Sequence, residues 1–104
     1  MITANINIPH DKIREFCCKW KIREFSFFGS VLRDDFRPDS DVDVLVSFEP
    51  DDPWSYWDWP DMIDELEAMF GRKVDFVEKE ALRNPYRRHE ILKTHQVIYA
   101  SGTP

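Results

Sequence analysis

Two carboxylates stand at the start of the most apolar segment of the chain. Asp41 and Asp43 open the segment Asp-Val-Asp-Val-Leu-Val-Ser-Phe at residues 41–48, which otherwise has the composition of a buried strand. Because alternate side chains of a strand share a face, we expect the two carboxylates side by side, about 7 Å apart. Carboxylates this close repel one another, and burial adds to the cost. A divalent cation between them would remove the repulsion, and Mg²⁺ commonly takes one or two carboxylates together with phosphate oxygens.

Three further features favour a site for a metal ion and a phosphate. Gly29 and Ser30 stand between a predicted strand and a predicted helix, where glycine lets a phosphate approach and a helix N-terminus offers free N–H groups. Arg33 follows one helical turn later and can reach a phosphate tail. Asp75 interrupts the short apolar segment Val-Asp-Phe-Val. Together with Asp41 and Asp43, these are the parts of metal-assisted phosphoryl or nucleotidyl transfer.

Each of these features also has a plainer interpretation when it is taken singly. The carboxylates at residues 39–41 fit a turn that enters a strand from solvent, and a lone Gly-Ser is more often a capped turn. Arg33 fits a surface ion pair, and Asp75 fits an edge position that faces solvent. The metal and phosphate hypothesis therefore depends on the features occurring together.

The hydrophobic pattern predicts alternating helices and strands that would position these residues. The predicted elements begin with a helix at about 9–20, a strand at 22–28 and a short helix at 31–36 capped by Ser30. A strand at 41–48 follows, and then a helix that ends at Gly71 and carries Met62, Ile63, Leu66, Met69 and Phe70 on one face. The remaining elements are a strand at 72–77, a helical turn at 78–83, a helix opening at Asn84-Pro85, and a segment at 96–100 that is either an edge strand or a continuation of that helix. This order predicts an α/β layer fold, and 104 residues predict one domain over residues 1–104.

The charge distribution and the cysteines narrow the function classes. The net charge is −6, and residues 34–67 carry thirteen acids against one base. This acidic centre argues against sequence-independent nucleic-acid binding, which needs a basic face. No apolar run is long enough to span a membrane, and the first residues lack a signal-peptide pattern. The adjacent Cys17 and Cys18 are interpreted as reduced thiols of a cytoplasmic protein, with Cys17 in the core.

The spacing of these residues resembles a known family signature. Gly29-Ser30, ten intervening residues and Asp41-Val42-Asp43 match the GSX10DXD pattern of the polymerase-β-like nucleotidyltransferases. The segments "RPDSDVDVLVSF" and "GRKVDFVEKEALRNPYRRHEIL" and the late "VIYA" are similar to the minimal nucleotidyltransferases, called MNT proteins, over roughly residues 8–100. The resemblance implies a polymerase-β-like nucleotidyltransferase core, with a mixed sheet of three to four strands flanked by helices. Proteins of this size resemble the antitoxin half of HEPN/MNT toxin–antitoxin pairs.

The resemblance also implies a reaction and roles for the site residues. Asp41 and Asp43 would hold two Mg²⁺ ions, and Asp75 would hold the metal at the attacking hydroxyl and could serve as its base. Gly29 and Ser30 would take the β- and γ-phosphates of ATP. The protein would transfer AMP to a tyrosine of a HEPN ribonuclease toxin, with which it would form a hetero-oligomer.

Two alternatives to this reaction remain open. The protein could neutralise its partner by binding alone, with a nucleotide site that is not essential. It could instead modify a small-molecule hydroxyl, although the short chain lacks room for an acceptor lobe. The intact set of carboxylates favours catalysis over binding alone.

Two segments are candidates for docking a partner. Residues 53–60, Pro-Trp-Ser-Tyr-Trp-Asp-Trp-Pro, carry three tryptophans and a tyrosine, which are favoured interface anchors but could equally cover the protein's own core. Arg83, Arg87 and Arg88, near Tyr86, could form a basic helix face that meets an acidic partner or nucleotide. The plainer interpretation of that face is a solvated helix surface.

Overall fold

Over the residues that the structure describes, the chain folds into three helices and four strands with short 3₁₀ turns between them. A computed structural model describes residues 8–32, 37 and 40–101, except for the side chain of Tyr56. The elements are α1 (His10–Lys19), β1 (Ile22–Phe28), β2 (Val42–Phe48), α2 (Trp59–Phe70), β3 (Val74–Glu78), α3 (Pro85–Thr94) and β4 (Gln96–Ala100), with 3₁₀ turns at Gly29–Leu32, Tyr56–Asp58 and Lys79–Ala81.

The four strands form one mixed sheet in the order β3-β2-β1-β4. β1 pairs antiparallel with β2 and with β4, whereas β2 and β3 run parallel. The parallel pair is joined through α2, as parallel strands require a crossover connection. This sheet confirms the predicted α/β fold, and it resolves residues 96–100 as an edge strand.

The first face of the sheet carries the main apolar core. Val42, Val44 and Val46 alternate along β2 and are fully buried beneath α1 and α2. The other buried residues of this core are Ile13, Phe16, Cys17, Trp20, Ile22, Phe25, Phe27, Val31, Phe48, Met62, Leu66, Val74 and Phe76. The predicted apolar faces of β2 and α2 are therefore confirmed.

The second face of the sheet carries a smaller cluster beneath α3. Phe28, Leu45 and Ile91 are buried there, with Val77, Leu82 and Leu92 packed against them. Helix α3 begins as predicted, because the Asn84 side chain accepts hydrogen bonds from two backbone N–H groups and Pro85 takes the first helical position. Since α3 is short, its buried contribution to this face rests chiefly on one residue, Ile91.

Three predicted boundaries near the site differ from the observed ones. The strand predicted at 72–77 is observed as β3, which begins two residues later at Val74 and ends at Glu78. Strand β2 begins at Val42, so Asp41 lies one residue before the strand rather than in it. Its first pairing bond runs from the Val42 N–H to the Lys73 carbonyl at 2.9 Å. The helix predicted at 31–36 is replaced at its start by the turn Gly29–Leu32, and residues 33–36 lie outside the described residues.

The tryptophan-rich segment divides into partly buried and exposed rings. Trp54 packs against Trp20 and donates from Nε1 to the Trp20 carbonyl, while Trp59 packs against Phe48 and Phe76. Trp57, in contrast, is 91% exposed. Two rings therefore cover the core, as one interpretation expects, whereas docking of a partner at Trp57 stays a prediction.

The cysteines and the helix lengths agree with the expectations from sequence. Cys17 is buried and Cys18 exposed, and both are free thiols. Burial raises the pKa of the Cys17 thiol well above its usual range, as expected of a residue that fills the core. Within the described ranges, every helix is too short or too polar to cross a bilayer.

Candidate active site

The parallel pairing of β2 and β3 places two of the predicted carboxylates opposite each other. Asp43 is the register partner of Asp75 across this pair, and on its other side Asp43 pairs with Phe28 of β1. Directly paired residues of neighbouring strands share a face, and such strands lie about 4.8 Å apart. Asp43 is half-buried and Asp75 is exposed. The two carboxylates therefore emerge together on the second face of the sheet, at the end where β2 begins.

Gly29 packs directly against the Asp43 carboxylate. Its φ of +71° is in the left-handed region, where glycine avoids the steric penalty of a side chain. A Cβ atom at this position would lie 3.2 Å from the Asp43 carboxyl carbon and would overlap its Oδ2 atom. The glycine therefore serves both the turn and the close approach of the carboxylate, and it leaves a cradle that any side chain would fill.

Ser30 ties the same turn to the residue that precedes β2. Its hydroxyl donates to the backbone carbonyl of Asp41 at 3.4 Å. Asp41 is exposed and Ser30 is half-buried, so both lie at the accessible edge of the site. The Gly-Ser turn and the Asp-Val-Asp segment are thus in contact, as their spacing predicted.

A second set of contacts holds the chain just before Asp41. The Arg37 N–H donates to Ser40 Oγ and the Ser40 N–H donates to the Arg37 carbonyl, each at 3.0 Å. The Arg72 guanidinium then donates from Nη1 to the carbonyls of Arg37 and Ser40, at 2.8 and 3.3 Å. The sequence analysis assigned no role to Arg72, and only its position just before the Asp75 segment could have drawn attention to it.

Glu67 supports the site from the opposite side. Its Oε2 atom accepts a hydrogen bond from the Val74 N–H at 3.1 Å, one residue before Asp75. The backbone carbonyl of Glu67 also accepts from Gly71, whose φ of +70° ends α2. Glu67 was missed from sequence because an acid on a helix surface is indistinguishable there from a solvated one.

The structure therefore brings together five of the six predicted site residues. These are Gly29, Ser30, Asp41, Asp43 and Asp75. The sixth, Arg33, lies outside the described residues. In the part of the chain that the structure describes, no three acidic, histidine or cysteine side chains already form a preassembled metal-binding group.

The residues at this edge nonetheless suit a magnesium ion. Carboxylate oxygens are the hard ligands that Mg²⁺ takes, and it completes its shell with water and phosphate oxygens. Because Gly29 has no side chain, the Asp43 carboxylate can pack directly against the turn. Asp41, Asp43 and Asp75 would be the protein ligands.

The basic residues of α3 separate into structural and exposed ones. Arg88 is half-buried and donates to the Lys79 carbonyl at 3.0 Å, which ties α3 to the turn after β3. Arg83 and Arg87 are exposed, and Tyr86 beside them is 83% exposed. The surface interpretation therefore applies to Arg83 and Arg87, whereas Arg88 has a packing role.

Comparisons with known proteins agree with this arrangement. Residues 10–98 match the nucleotidyltransferase domain family. Two relatives from Methanocaldococcus jannaschii are named as candidate protein adenylyltransferases. One is 33% identical over 70% of this chain and 73% of its own length, and the other is 32% identical over 85% and 91%. The protein adenylyltransferase MntA of Thermococcus cleftensis is 39% identical over 64% of this chain and 65% of its own.

Solved structures share the fold. A candidate minimal nucleotidyltransferase superposes with a TM-score of 0.67 at 31% identity, covering 84% of this chain and 86% of that chain. A chain of a toxin–antitoxin complex with AMP-PNP gives 0.72 at 15% identity, over 91% and 76%. A chain of the complex between a tri-AMPylated Shewanella oneidensis HEPN toxin and its MNT antitoxin gives 0.64 at 16%, over 88% and 70%.

The two chains from toxin–antitoxin complexes, at 15% and 16% identity, show a shared fold. The family match and the relatives above 30% identity show common descent. They agree with the Gly-Ser turn and the paired carboxylates described above. The chain therefore belongs to the nucleotidyltransferase domain family and to its minimal (MNT) branch, as its signature predicted, and it is a nucleotidyltransferase with protein adenylyltransferases among its relatives.

Proposed function

We propose that this protein transfers AMP from ATP to a tyrosine hydroxyl of a HEPN-type toxin and thereby acts as its antitoxin. The observation that carries the proposal is the packing of the Gly29 turn against Asp43, which is itself paired with Asp75. The Gly-Ser turn and two carboxylates therefore lie at one accessible edge, which supports a phosphate-binding role for the turn. The named activity of the relatives supports a protein as the acceptor.

The residues of the site have separate tasks in this reaction. The Gly29 backbone and the Ser30 hydroxyl would bind the β- and γ-phosphates. Asp41, Asp43 and Asp75 would hold two magnesium ions, which lower the pKa of the attacking hydroxyl and stabilise the leaving pyrophosphate. The tyrosine oxygen bonds to the α-phosphorus of ATP. The bond from that phosphorus to the oxygen bridging it to the β-phosphorus breaks, and pyrophosphate leaves with the bonding electrons. The hydroxyl proton passes to the Asp75 carboxylate or to water.

The exposed aromatic residues support a docked protein as the acceptor. Trp57 and Tyr86 are 91% and 83% exposed, and large aromatic side chains are common anchors in protein interfaces. A docked partner would present the acceptor hydroxyl at the edge where the Gly29 turn meets Asp43. ATP, magnesium and free thiols are all found in the cytoplasm, which is where we place the reaction.

The test is a transfer assay with the toxin encoded beside this protein. Purified protein, Mg²⁺, toxin and ATP labelled at the α-phosphate are incubated, and we expect label on the toxin. Asp41→Asn/Asp43→Asn should lose the label, whereas the control Asp61→Asn/Asp64→Asn, which removes two exposed carboxylates from α2, should keep it. Label that persists in the site variant, or that never reaches the toxin, would contradict the proposal. A toxin Tyr→Phe variant at the mapped residue checks the acceptor.

The same exposed rings also favour a second candidate, neutralisation by binding alone. Trp57 and Tyr86 could cover the toxin whether or not AMP is transferred. The toxin's ribonuclease activity distinguishes the two functions. If Asp41→Asn/Asp43→Asn still suppresses RNA cleavage as well as the parent protein does, binding is sufficient. If suppression disappears together with the label, adenylylation is required.

A further inference from the structure

We infer that Arg72 is a positioning residue for nucleotidyl transfer, because its guanidinium ties the chain before Asp41 to the strand that carries Asp75. The inference rests on the proposed function and adds a residue to it. Arg72 would touch neither ATP nor metal. It would instead set the distance between two carboxylates that have to share a cation.

The contacts of Arg72 converge on Arg37 and Ser40, which lie four positions and one position before Asp41. Its Nη1 atom donates to the Arg37 carbonyl at 2.8 Å and to the Ser40 carbonyl at 3.3 Å. Arg37 and Ser40 are already joined by two hydrogen bonds of their own, so the guanidinium binds them as one unit. Asp41 is the next residue, so the position of its main chain depends on the position of Ser40.

The other end of this link is fixed relative to Asp75. Arg72 follows Gly71, which closes α2, and stands only three residues before Asp75. The Val74 N–H is held by the Glu67 carboxylate at 3.1 Å, and the Lys73 carbonyl accepts from Val42. The backbone near Arg72 is therefore anchored both to α2 and to β2, and the guanidinium transmits that anchorage to Asp41.

Asp43 does not need this support, since it lies within β2 and packs against Gly29. Asp41 lies outside the strand, is exposed, and has the Ser30 contact at 3.4 Å as its other tie. Loss of the guanidinium should thus displace Asp41 while leaving Asp43 and Asp75 paired. A displacement of about 1 Å in a reacting geometry can lower the rate roughly 100-fold.

Arginine suits this role better than lysine does. Its planar guanidinium stays charged and offers several donors in a fixed geometry, whereas the lysine ammonium is a flexible point charge. We therefore expect Arg72→Lys to retain part of the function and Arg72→Met to lose it. The matched control is Arg14→Met, which removes an exposed arginine of α1 whose partner is Asp11 on the same helix. Exposed pairs of this kind contribute little to stability.

The experiment measures catalysis, metal binding and folding in parallel. For Arg72→Met we expect kcat for toxin labelling to fall about 10- to 100-fold. The Mn²⁺ concentration for half-saturation, followed by electron paramagnetic resonance with AMP-PNP present, should rise several-fold. Arg72→Lys should fall between this variant and the parent protein, and Arg14→Met should match the parent.

Two results with the Arg72→Met variant would overturn the inference. One is an activity loss in Arg72→Met that merely tracks its unfolded fraction in thermal melts, with unchanged Mn²⁺ binding. The other is an Arg72→Met variant that behaves like the parent protein. Failure of the parent to label any toxin would count against the proposed function alone, because the Mn²⁺ titration with AMP-PNP still tests Arg72. A parent that binds no Mn²⁺ would overturn the inference as well.

Discussion

The two faces of the sheet differ in what they bury. Among the described residues, the first face, beneath α1 and α2, holds a continuous cluster of sixteen buried hydrophobic residues, whereas the second face, beneath α3, holds a cluster of three. The second face instead carries the Asp43–Asp75 pair at one end. At the other end Ser47 donates to Glu80 at 2.6 Å and accepts from Arg23 at 3.1 Å. Stability is concentrated on one face, so the other can carry polar and charged groups.

This division has a physical basis in the cost of burying charge. A carboxylate within the larger core would be desolvated without compensation, while one at the open end of the second face keeps access to water and ions. Strand β2 contributes to both faces, because alternate residues of a strand point to opposite sides of the sheet. Its valines lie on the first face, and Asp43, Leu45 and Ser47 lie on the second. The same seven residues thus serve the core and the site.

The sharpest contrast between the faces should be in stability. Leu66 is fully buried in the larger core, and Leu92 is a partly buried member of the smaller cluster. Leu66→Ala should lower the free energy of unfolding by about 2–5 kcal/mol, because it leaves a cavity. Leu92→Ala should cost about 1 kcal/mol. Urea denaturation of both variants measures the difference, and equal losses would show that the two faces contribute alike.

The two left-handed glycines offer a matched test of the second face. Gly29 and Gly71 have φ angles of +71° and +70°, but only at Gly29 would a Cβ meet another group, the Asp43 carboxylate. Alanine at either position should cost about 1–2 kcal/mol through backbone strain. Gly29→Ala should in addition reduce AMP transfer at least about 10-fold, because it displaces Asp43. Transfer that is reduced equally in Gly71→Ala would mean that strain, rather than the contact, is responsible.

The smallest expected effect concerns Glu78, an acid at the end of the first face. Glu78 is the register partner of Val46, and its pKa is raised by burial and then by the nearby charges of Glu80 and Asp52. Since the folded pKa lies above the unfolded one, ionisation weakens the fold as the pH rises through the folded value. Glu78→Gln should therefore raise Tm at pH 7 by on the order of 1–2 °C, since water screens much of the repulsion.

The pH dependence of the rise in Tm tests whether ionisation of Glu78 is its cause. Below pH 4 the glutamate is protonated in both states, so the advantage of Glu78→Gln should vanish there. Glu90→Gln, at an exposed position of α3, supplies the comparison for removing a charge. A gain of the same size at pH 4 and pH 7 would assign the effect to packing instead of ionisation.

The parts of the site that sequence predicted are those fixed by local geometry. Alternation along β2 settles which side Asp43 takes, and the Gly29-Ser30 spacing places the turn beside it. The register of Asp43 against Asp75 depends on how α2 returns the chain to the sheet, which alternation does not specify. The contacts of Arg72 and Glu67 are tertiary contacts, so no local sequence pattern predicts them.

The fold shows the same division between local and tertiary control. Helix α3 was predicted in detail because Asn84-Pro85 is a local signal that the cap geometry confirms. The segment Gln96–Ala100 was ambiguous, since five residues without clear alternation fit either a helix or a strand. Pairing with β1 decides the matter, and that partner lies about seventy residues earlier in the chain.

The parallel pairing of β2 with β3 also bears on when activity appears during folding. Asp43 and Asp75 are 32 positions apart in sequence (75 − 43), so their meeting requires α2 to form and close the crossover. The β1–β2 hairpin, with Gly29 and Asp43, needs only local closure and can assemble earlier. A nascent chain released before residue 75 would therefore carry the Gly-Ser turn and Asp43 but would lack Asp75, the register partner of Asp43. Under the proposed function, such a chain would lack one of the three carboxylates and should be inactive.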